Sequence, residues 1–156
     1  MEVLSAATEK PAQETRELFV TELVDQFADR GHADLVRELT LPFPVHVIAG
    51  MLGLPKEDLP QFHAWAVELI SIAIDFQTGL NASKKLGEYL TPFIEARRKN
   101  PGVDLISVLV TGELDGQRLD NEHVLGFLRL LLPAGAETTY RSSSNLLYGL
   151  LTNAEQ

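Results

Sequence analysis

The 156-residue sequence predicts an all-α protein that ends in a long, kinked helix and contains one small β-hairpin. Apolar residues recur at intervals of three and four along almost the whole chain, which is the period of an amphipathic helix. Glycine and proline stand at the ends of these periodic segments, where they stop or start helices. The dipeptide Asp115-Gly116 has the form of a tight hairpin turn. The length fits one domain, expected over residues 1–156, that is large enough for a hydrophobic core.

The composition excludes several classes of protein. Lys and Arg number 13 and Asp and Glu number 22, a net charge of −9. Such an acidic chain lacks the clustered basic residues that bind a nucleic-acid duplex or an anionic membrane, so we expect neither as a partner. The sequence contains no cysteine. This excludes disulfides, Cys-ligated zinc, iron–sulfur clusters and any thiolate nucleophile or thiolate metal ligand from this chain.

No segment predicts secretion, a membrane span or a metal site. The first ten residues contain acids and no apolar core, unlike a signal peptide. The longest apolar stretch, Val124 to Ala136, is interrupted by Arg129 and Pro133 and is too short to cross a bilayer. The four histidines form no pair at the spacing of four that metal-binding helices use, so no metal ligand is expected. We therefore expect a cytoplasmic protein.

Three helices are expected in the first half, over residues 13–30, 45–52 and 55–76. Gly31 and Gly53 follow the first two, in the position where glycine commonly ends a helix. Pro55 begins the third, and the acidic residues of its first turn suit the positive end of the helix dipole. Residues 79–82 are expected to form a loop.

Three more helices are expected, over residues 83–99, 104–110 and 120–152. Basic residues at 97–99 put positive charge at the end of the first of these, as the helix dipole favours. Asp120 or Asn121 caps the last helix. That helix would be roughly 50 Å long, whereas a compact domain of this length is about 40 Å across. We therefore expect a bend at Pro133 or a helix built to cross a larger body, and favour the second.

Residues 130–139 carry the features that suggest chemistry. One face of this helix is first bulky and apolar, then small, then hydroxylic, along Phe127, Leu130, Leu131, Ala134 and Thr138. Pro133 removes a backbone donor and Gly135 costs about 1 kcal/mol of helix stability, so a backbone carbonyl becomes available to Thr138 or to water. Glu137 adds a potential proton carrier. From the residues alone a second interpretation stays open, in which the small residues admit a neighbouring helix and Glu137 faces solvent.

Residues 134–139, Ala-Gly-Ala-Glu-Thr-Thr, resemble the oxygen-activation motif (A/G)-G-x-(D/E)-T-(T/S) of the cytochrome P-450 family, the haem-thiolate monooxygenases. Residues 42–55 are similar to the bacterial segment P-x-P-x-x-V-I-x-x-L-L-G-(V/I)-P of that family. The Gly-His-Ala-Asp-Leu-Val sequence at 31–36 also fits, as do Glu57-Asp58 followed by Phe62 and Trp65. The resemblance covers nearly the whole chain. It departs at Pro133, where many members have a larger apolar residue.

The resemblance implies a role for each matching residue. Thr138 is similar to the hydroxyl that hydrogen-bonds dioxygen on the haem iron, and Glu137 to the acid that relays protons with water. Ala134 and Gly135, together with Thr138, match the positions that lie over the haem. The positions that match substrate-facing residues are Phe127, Leu130, Leu131, Ile70, Ile74 and Phe76. The last three fall in segments that resemble the mobile lid helices of the family.

The resemblance also implies a reaction and its partners. One atom of O2 is inserted into a small, largely apolar organic substrate, with haem as the cofactor and with electrons from a ferredoxin or a flavoprotein. The family's Cys loop, the E-x-x-R motif of one of its later helices and its first sheet are not among these residues, so the sequence matches the central helical third of the enzyme. Because thiolate donation to iron cannot come from this chain, we expect it to be inactive alone and to bind haem weakly.

Two rivals to this function stay open. The chain is then either a non-catalytic helical module that binds a small molecule or an incomplete gene product without a function of its own.

Overall fold

The computed structural model of the protein describes residues 17–114, 116–153 and 155. Its α-helices are α1 (17–25), α2 (Pro42–Met51), α3 (Leu59–Ile70), α4 (Phe76–Lys99), α5 (Leu105–Thr111), α6 (Asn121–Leu132) and α7 (Thr138–Thr152). Strands β1 (Glu113–Leu114) and β2 (Gln117–Arg118) pair antiparallel, with Glu113 opposite Arg118. The all-α prediction with one small hairpin is confirmed. Asp115 of the predicted turn and residues 13–16 of the first predicted helix lie outside the described residues.

The described chain forms two compact units. One takes in the described residues up to Ile48 and those from Ala134 onward, and the other is Ala49–Pro133. Among the described helices, none combines the length and the apolar character that crossing a bilayer requires.

In the unit Ala49–Pro133, α4 is the central helix and packs against α3, α5 and α6. Its core face repeats every fourth residue, and the side chains of this stripe are fully or almost fully buried: Ala82, Leu86, Leu90 and Ile94. Burying one leucine of this kind contributes roughly 1.5–3 kcal/mol. The amphipathic pattern read from the sequence is therefore the pattern that builds this core.

The basic end of α4 makes specific bonds in addition to its favourable placement on the helix dipole. The Arg97 Nε donates to Asp104 Oδ2 at 3.0 Å. The Arg98 Nε donates to Asn121 Oδ1 at 2.7 Å. The same guanidinium donates to the Val110 carbonyl in the last turn of α5 and to the Leu119 carbonyl that precedes α6. Arg98 thus fixes where α6 begins.

The predicted loop at 79–82 is wrong, since these residues lie inside α4. The Asp75 side chain accepts from the Thr78 backbone amide at 3.0 Å, which caps a helix that begins at Phe76. The preceding helix correspondingly ends at Ile70 rather than near Phe76, and a 3₁₀ turn, Ser71–Ala73, follows it. Gly79 is a glycine because it is buried against this turn, and not because the chain loops there.

In the other unit, α7 lies against a π-helical turn, Val36–Thr40. The buried Thr40 Oγ1 and the Ser144 Oγ are 2.7 Å apart and share a hydrogen bond. None of the residues of α7 is buried. The long last helix of the sequence prediction is therefore present as two α-helices, the second of which is largely uncovered.

Candidate functional site

The segment Pro133–Glu137, which joins α6 to α7, is a π-helical turn. Proline has no N–H to donate to the carbonyl four residues earlier, and Gly135 favours a helix less than alanine does by about 1 kcal/mol. A single π-helical turn within a helix is frequent at functional sites. The expected interruption of the α-helical ladder at these residues is confirmed.

Thr138 stands at the start of α7 and is exposed. Its hydroxyl donates to the Ala134 carbonyl oxygen at 2.7 Å, and the Thr139 hydroxyl donates in the same way to Gly135 at 2.7 Å. A hydroxyl has one proton and two lone pairs, so in this conformation Thr138 can still accept a hydrogen bond from a ligand. To donate one, the hydroxyl has to turn away from Ala134.

The Glu137 carboxylate is half-buried and paired with a side chain that the sequence analysis overlooked. Its Oε1 accepts from the Arg141 Nε at 3.0 Å and lies 2.8 Å from a terminal guanidinium nitrogen of the same residue. The spacing of four residues, with the acid first, is the favourable arrangement for an ion pair on a helix, and it was readable from the sequence. Arg141 therefore belongs with Glu137 in any account of this site.

An open depression of about 420 Å³ runs along α7 and is lined by Thr138, Thr139, Ser142, Ser143 and Leu146. Three of its hydroxyls point back to helix carbonyls: those of Thr138 and Thr139, given above, and that of Ser143, which donates to the Thr139 carbonyl at 2.7 Å. Because these polar atoms are occupied within the helix, the depression presents mainly carbon. A surface of this kind suits a flat, apolar ring.

These residues fit a haem by shape and polarity. Ala134 and Thr138 are both exposed, and the alanine is small enough to let a planar group approach the backbone. These residues include no thiolate ligand for a haem iron, because the sequence has no cysteine. Among the described residues, no group of three His, Asp or Glu side chains is placed to hold a metal ion.

The predicted substrate residues lie in two regions, α6 and the segment from the end of α3 to the start of α4. On α6, Phe127 and Leu130 are 44% and 66% exposed and Leu131 is half-buried, while the opposite face of the helix is buried. Ile70 ends α3 and is half-buried. Ile74, in the link before α4, and Phe76, the first residue of α4, are 91% and 68% exposed. The structure thus leaves large apolar side chains uncovered in both regions. Their contact with a substrate stays a prediction.

Comparison with known proteins gives a consistent result. The chain is 36% identical to the steroid C26-monooxygenase of Mycobacterium tuberculosis over 140 residues, which are 86% of this chain and 38% of that protein. It is 36% identical over 144 residues to the cytochrome P-450 monooxygenase PikC of Streptomyces venezuelae, covering 88% and 34%. The crystal structure of CYP109E1 from Bacillus megaterium in complex with testosterone superimposes with a TM-score of 0.84 at 35% identity, covering 96% and 41%.

The chain spans little more than a third of the length of these relatives. No protein-family model matches it.

Proposed function

Since the chain belongs to the cytochrome P-450 family by sequence and by fold, we propose that it provides the oxygen-activation helix of a haem-dependent monooxygenase. The reaction inserts one atom of O2 into a small apolar organic substrate. All 156 residues belong to one domain of that enzyme, although they form only part of it. The single observation that carries this proposal is the π-helical turn that leaves Ala134 and Thr138 exposed beside an acid.

Haem, when bound, supplies the binding and reduction of dioxygen. The residues of this chain then control protons and access. While the Thr138 hydroxyl donates to the Ala134 carbonyl, its Oγ1 accepts a hydrogen bond from a ligand. When the hydroxyl turns away from Ala134, it donates a hydrogen bond to the ligand instead. Glu137 directly precedes Thr138 in the chain. Its carboxyl group exchanges a proton through water, because a general acid has to lie within one water molecule of the group that it protonates. Arg141 holds the carboxylate when no proton is being moved.

The apolar class of substrate is supported by the uncovered Phe127, Leu130, Ile74 and Phe76. One of the similar proteins is named as a steroid monooxygenase, and another was crystallised in complex with testosterone. A rigid apolar molecule therefore suits these surfaces. The electrons come from a ferredoxin or a flavoprotein, and the enzyme works in the cytoplasm.

A chimera tests the proposal, in which this chain replaces the matching segment of a full-length relative. The unaltered chimera should incorporate haem, which the carbon monoxide difference spectrum measures. Thr138→Val should lower product formation by roughly 100-fold, because a positioned proton-transfer group is lost.

Thr139→Val is the matched control. It removes an adjacent hydroxyl with the same bond to a helix carbonyl, and it should retain most of the product formation. Equal losses in the two variants, at equal haem content, contradict the role of Thr138.

A further inference from the structure

Tyr89, on α4, makes a hydrogen bond that the proposed reaction does not use. Its hydroxyl donates to Asp58 Oδ2 at 2.7 Å. Asp58 ends the 3₁₀ turn Lys56–Asp58, directly before α3. A short bond from a phenol to a carboxylate places a proton acceptor at the hydroxyl before any reaction begins.

The ring of Tyr89 lies among three other aromatic rings. Its centroid is 5.5 Å from that of Trp65, 5.2 Å from that of Phe93 and 6.5 Å from that of Phe62. Phe62 is fully buried, whereas Trp65 is half-buried and reaches solvent. Trp65 is the one tryptophan of the sequence, which has no cysteine. Tryptophan and tyrosine are therefore the side chains of this chain that give up a single electron most readily.

The tyrosine is held as a neutral phenol. Burial raises the pKa of Tyr89 well above its usual value, and the hydrogen bond to Asp58 and the charge of that carboxylate raise it further. Removing an electron from a neutral phenol makes its hydroxyl strongly acidic. Oxidation is therefore easiest when a base within hydrogen-bond distance takes the proton at the same time.

We infer that Tyr89, Asp58 and Trp65 form a one-electron oxidation site. An outer-sphere one-electron oxidant takes an electron from Tyr89, and the hydroxyl proton passes to Asp58. The phenol and the carboxylate become a neutral tyrosyl radical and a carboxylic acid, and the oxidant is reduced by one electron. Trp65 relays the electron between Tyr89 and the surface. This site does not depend on the haem proposed above.

Laser flash–quench oxidation of the full 156-residue chain tests the site, with a soluble ruthenium(III) polypyridyl complex as the oxidant. Tyr140→Phe and Tyr148→Phe together leave Tyr89 as the sole tyrosine of the three. Transient absorption should then show a tyrosyl radical that forms more slowly in D2O than in H2O. Trp65→Phe should slow its formation because the relay is removed.

Asp58→Asn should slow formation of the radical by roughly tenfold to a hundredfold, since the proton acceptor is lost. Glu88→Gln is the matched control, because it also removes one negative charge, at the residue next to Tyr89 in the chain. The Glu88 side chain is exposed and pairs with Lys84, whereas the Tyr89 hydroxyl bonds to Asp58. This control should leave the rate unchanged.

A rate that is equal in D2O and H2O overturns the inference, and this measurement needs no change at Asp58. An Asp58→Asn variant that keeps its near-ultraviolet circular dichroism and reacts as fast as Glu88→Gln overturns it as well. Either result would mean that the Tyr89–Asp58 hydrogen bond has only a structural role, holding the turn Lys56–Asp58 against α4.

Discussion

Gly79 is the residue at which the turn after α3 closes on α4. A Cβ at this position would lie 2.5 Å from the Cβ of Ile72 and 2.7 Å from its Cα. Because the Cα belongs to the backbone, a rotamer change cannot relieve the contact, and the turn itself has to move. This glycine is therefore needed for a close approach, inside a helix that glycine otherwise weakens.

We expect Gly79→Ala to lower the free energy of unfolding by about 1–3 kcal/mol, the usual cost of overpacking. Urea denaturation followed by circular dichroism measures it. Gly126→Ala is the control, because a Cβ at that position of α6 meets nothing within 4 Å. The control should raise stability by up to about 1 kcal/mol through helix propensity. A Gly79→Ala variant as stable as the control would show that Ile72 does not pack as described.

Pro133, Gly135 and Gly79 show which structural roles of single residues can be predicted from the sequence. Pro133 and Gly135 act through their own backbones, so the sequence alone anticipated the interrupted ladder. The Thr138 hydroxyl bonds to the Ala134 carbonyl, as threonine commonly does to the carbonyl four residues earlier in a helix. Gly79, in contrast, leaves room for Ile72, which packs against it. How close Ile72 comes depends on the relative placement of α4 and the turn that follows α3. That information is not local, and the sequence prediction of a loop there was wrong.

At the scale of the helices, aspartate caps set where several elements begin. Asp75, Asp104 and Asp120 each accept a hydrogen bond from the backbone amide three residues on, at 3.0, 2.8 and 2.9 Å. From the sequence, either Asp120 or Asn121 was expected to cap the last helix, and the structure selects Asp120. The sequence analysis missed Asp75 because the apolar period of α3 continues into Ser71–Ala73 and obscures the break.

The cap at Asp75 gives a prediction about pH. The backbone amide of Thr78, and then its hydroxyl, hold the pKa of the Asp75 carboxyl below its ordinary value of 3.8. The pKa is thus lower in the folded state than in the unfolded state. The stability that the ionised cap contributes is present above the ordinary value and is lost as pH falls through the lower folded-state pKa.

Asp75→Ala should accordingly lower the urea midpoint at pH 7, and the difference from the wild type should shrink as the pH falls through the folded-state pKa of Asp75. Asp75→Asn is the control, because asparagine also caps helices but does not titrate. Its midpoint at pH 7 should lie closer to the wild type. A difference between Asp75→Ala and the wild type that is constant with pH would argue against an ionised cap.

At the scale of the whole molecule, large apolar side chains of α7 are uncovered, among them Leu146 and Leu151 at 62% and 72% exposure. The chain matches a little more than a third of its relatives' length. Sequence periodicity identified most of the helices, although it missed the break between α3 and α4. The family was recognised from short motifs, which are also local patterns. Periodicity does not specify what lies against α7, because tertiary packing decides this and a local pattern does not.

The absence of cysteine leads to a prediction for the isolated chain. Thiolate ligation of haem requires a cysteine, and none of the 156 residues is one. We therefore propose that the chain alone is inactive. With added haem, reduction and carbon monoxide, its Soret band should not move to the long-wavelength position that thiolate ligation gives. A band at that position would show that the preparation contains another ligand or that the assignment is wrong.

We propose that the surface carrying Ala134 and Thr138 lies against a haem. The most direct test measures haem content in the chimera by the carbon monoxide difference spectrum, with Ala134→Phe compared with Ala96→Phe, an equal enlargement at an exposed position of α4. Ala134→Phe should lose most of the bound haem, whereas Ala96→Phe should retain it. Equal haem content in the two variants would show that this surface does not lie against a haem.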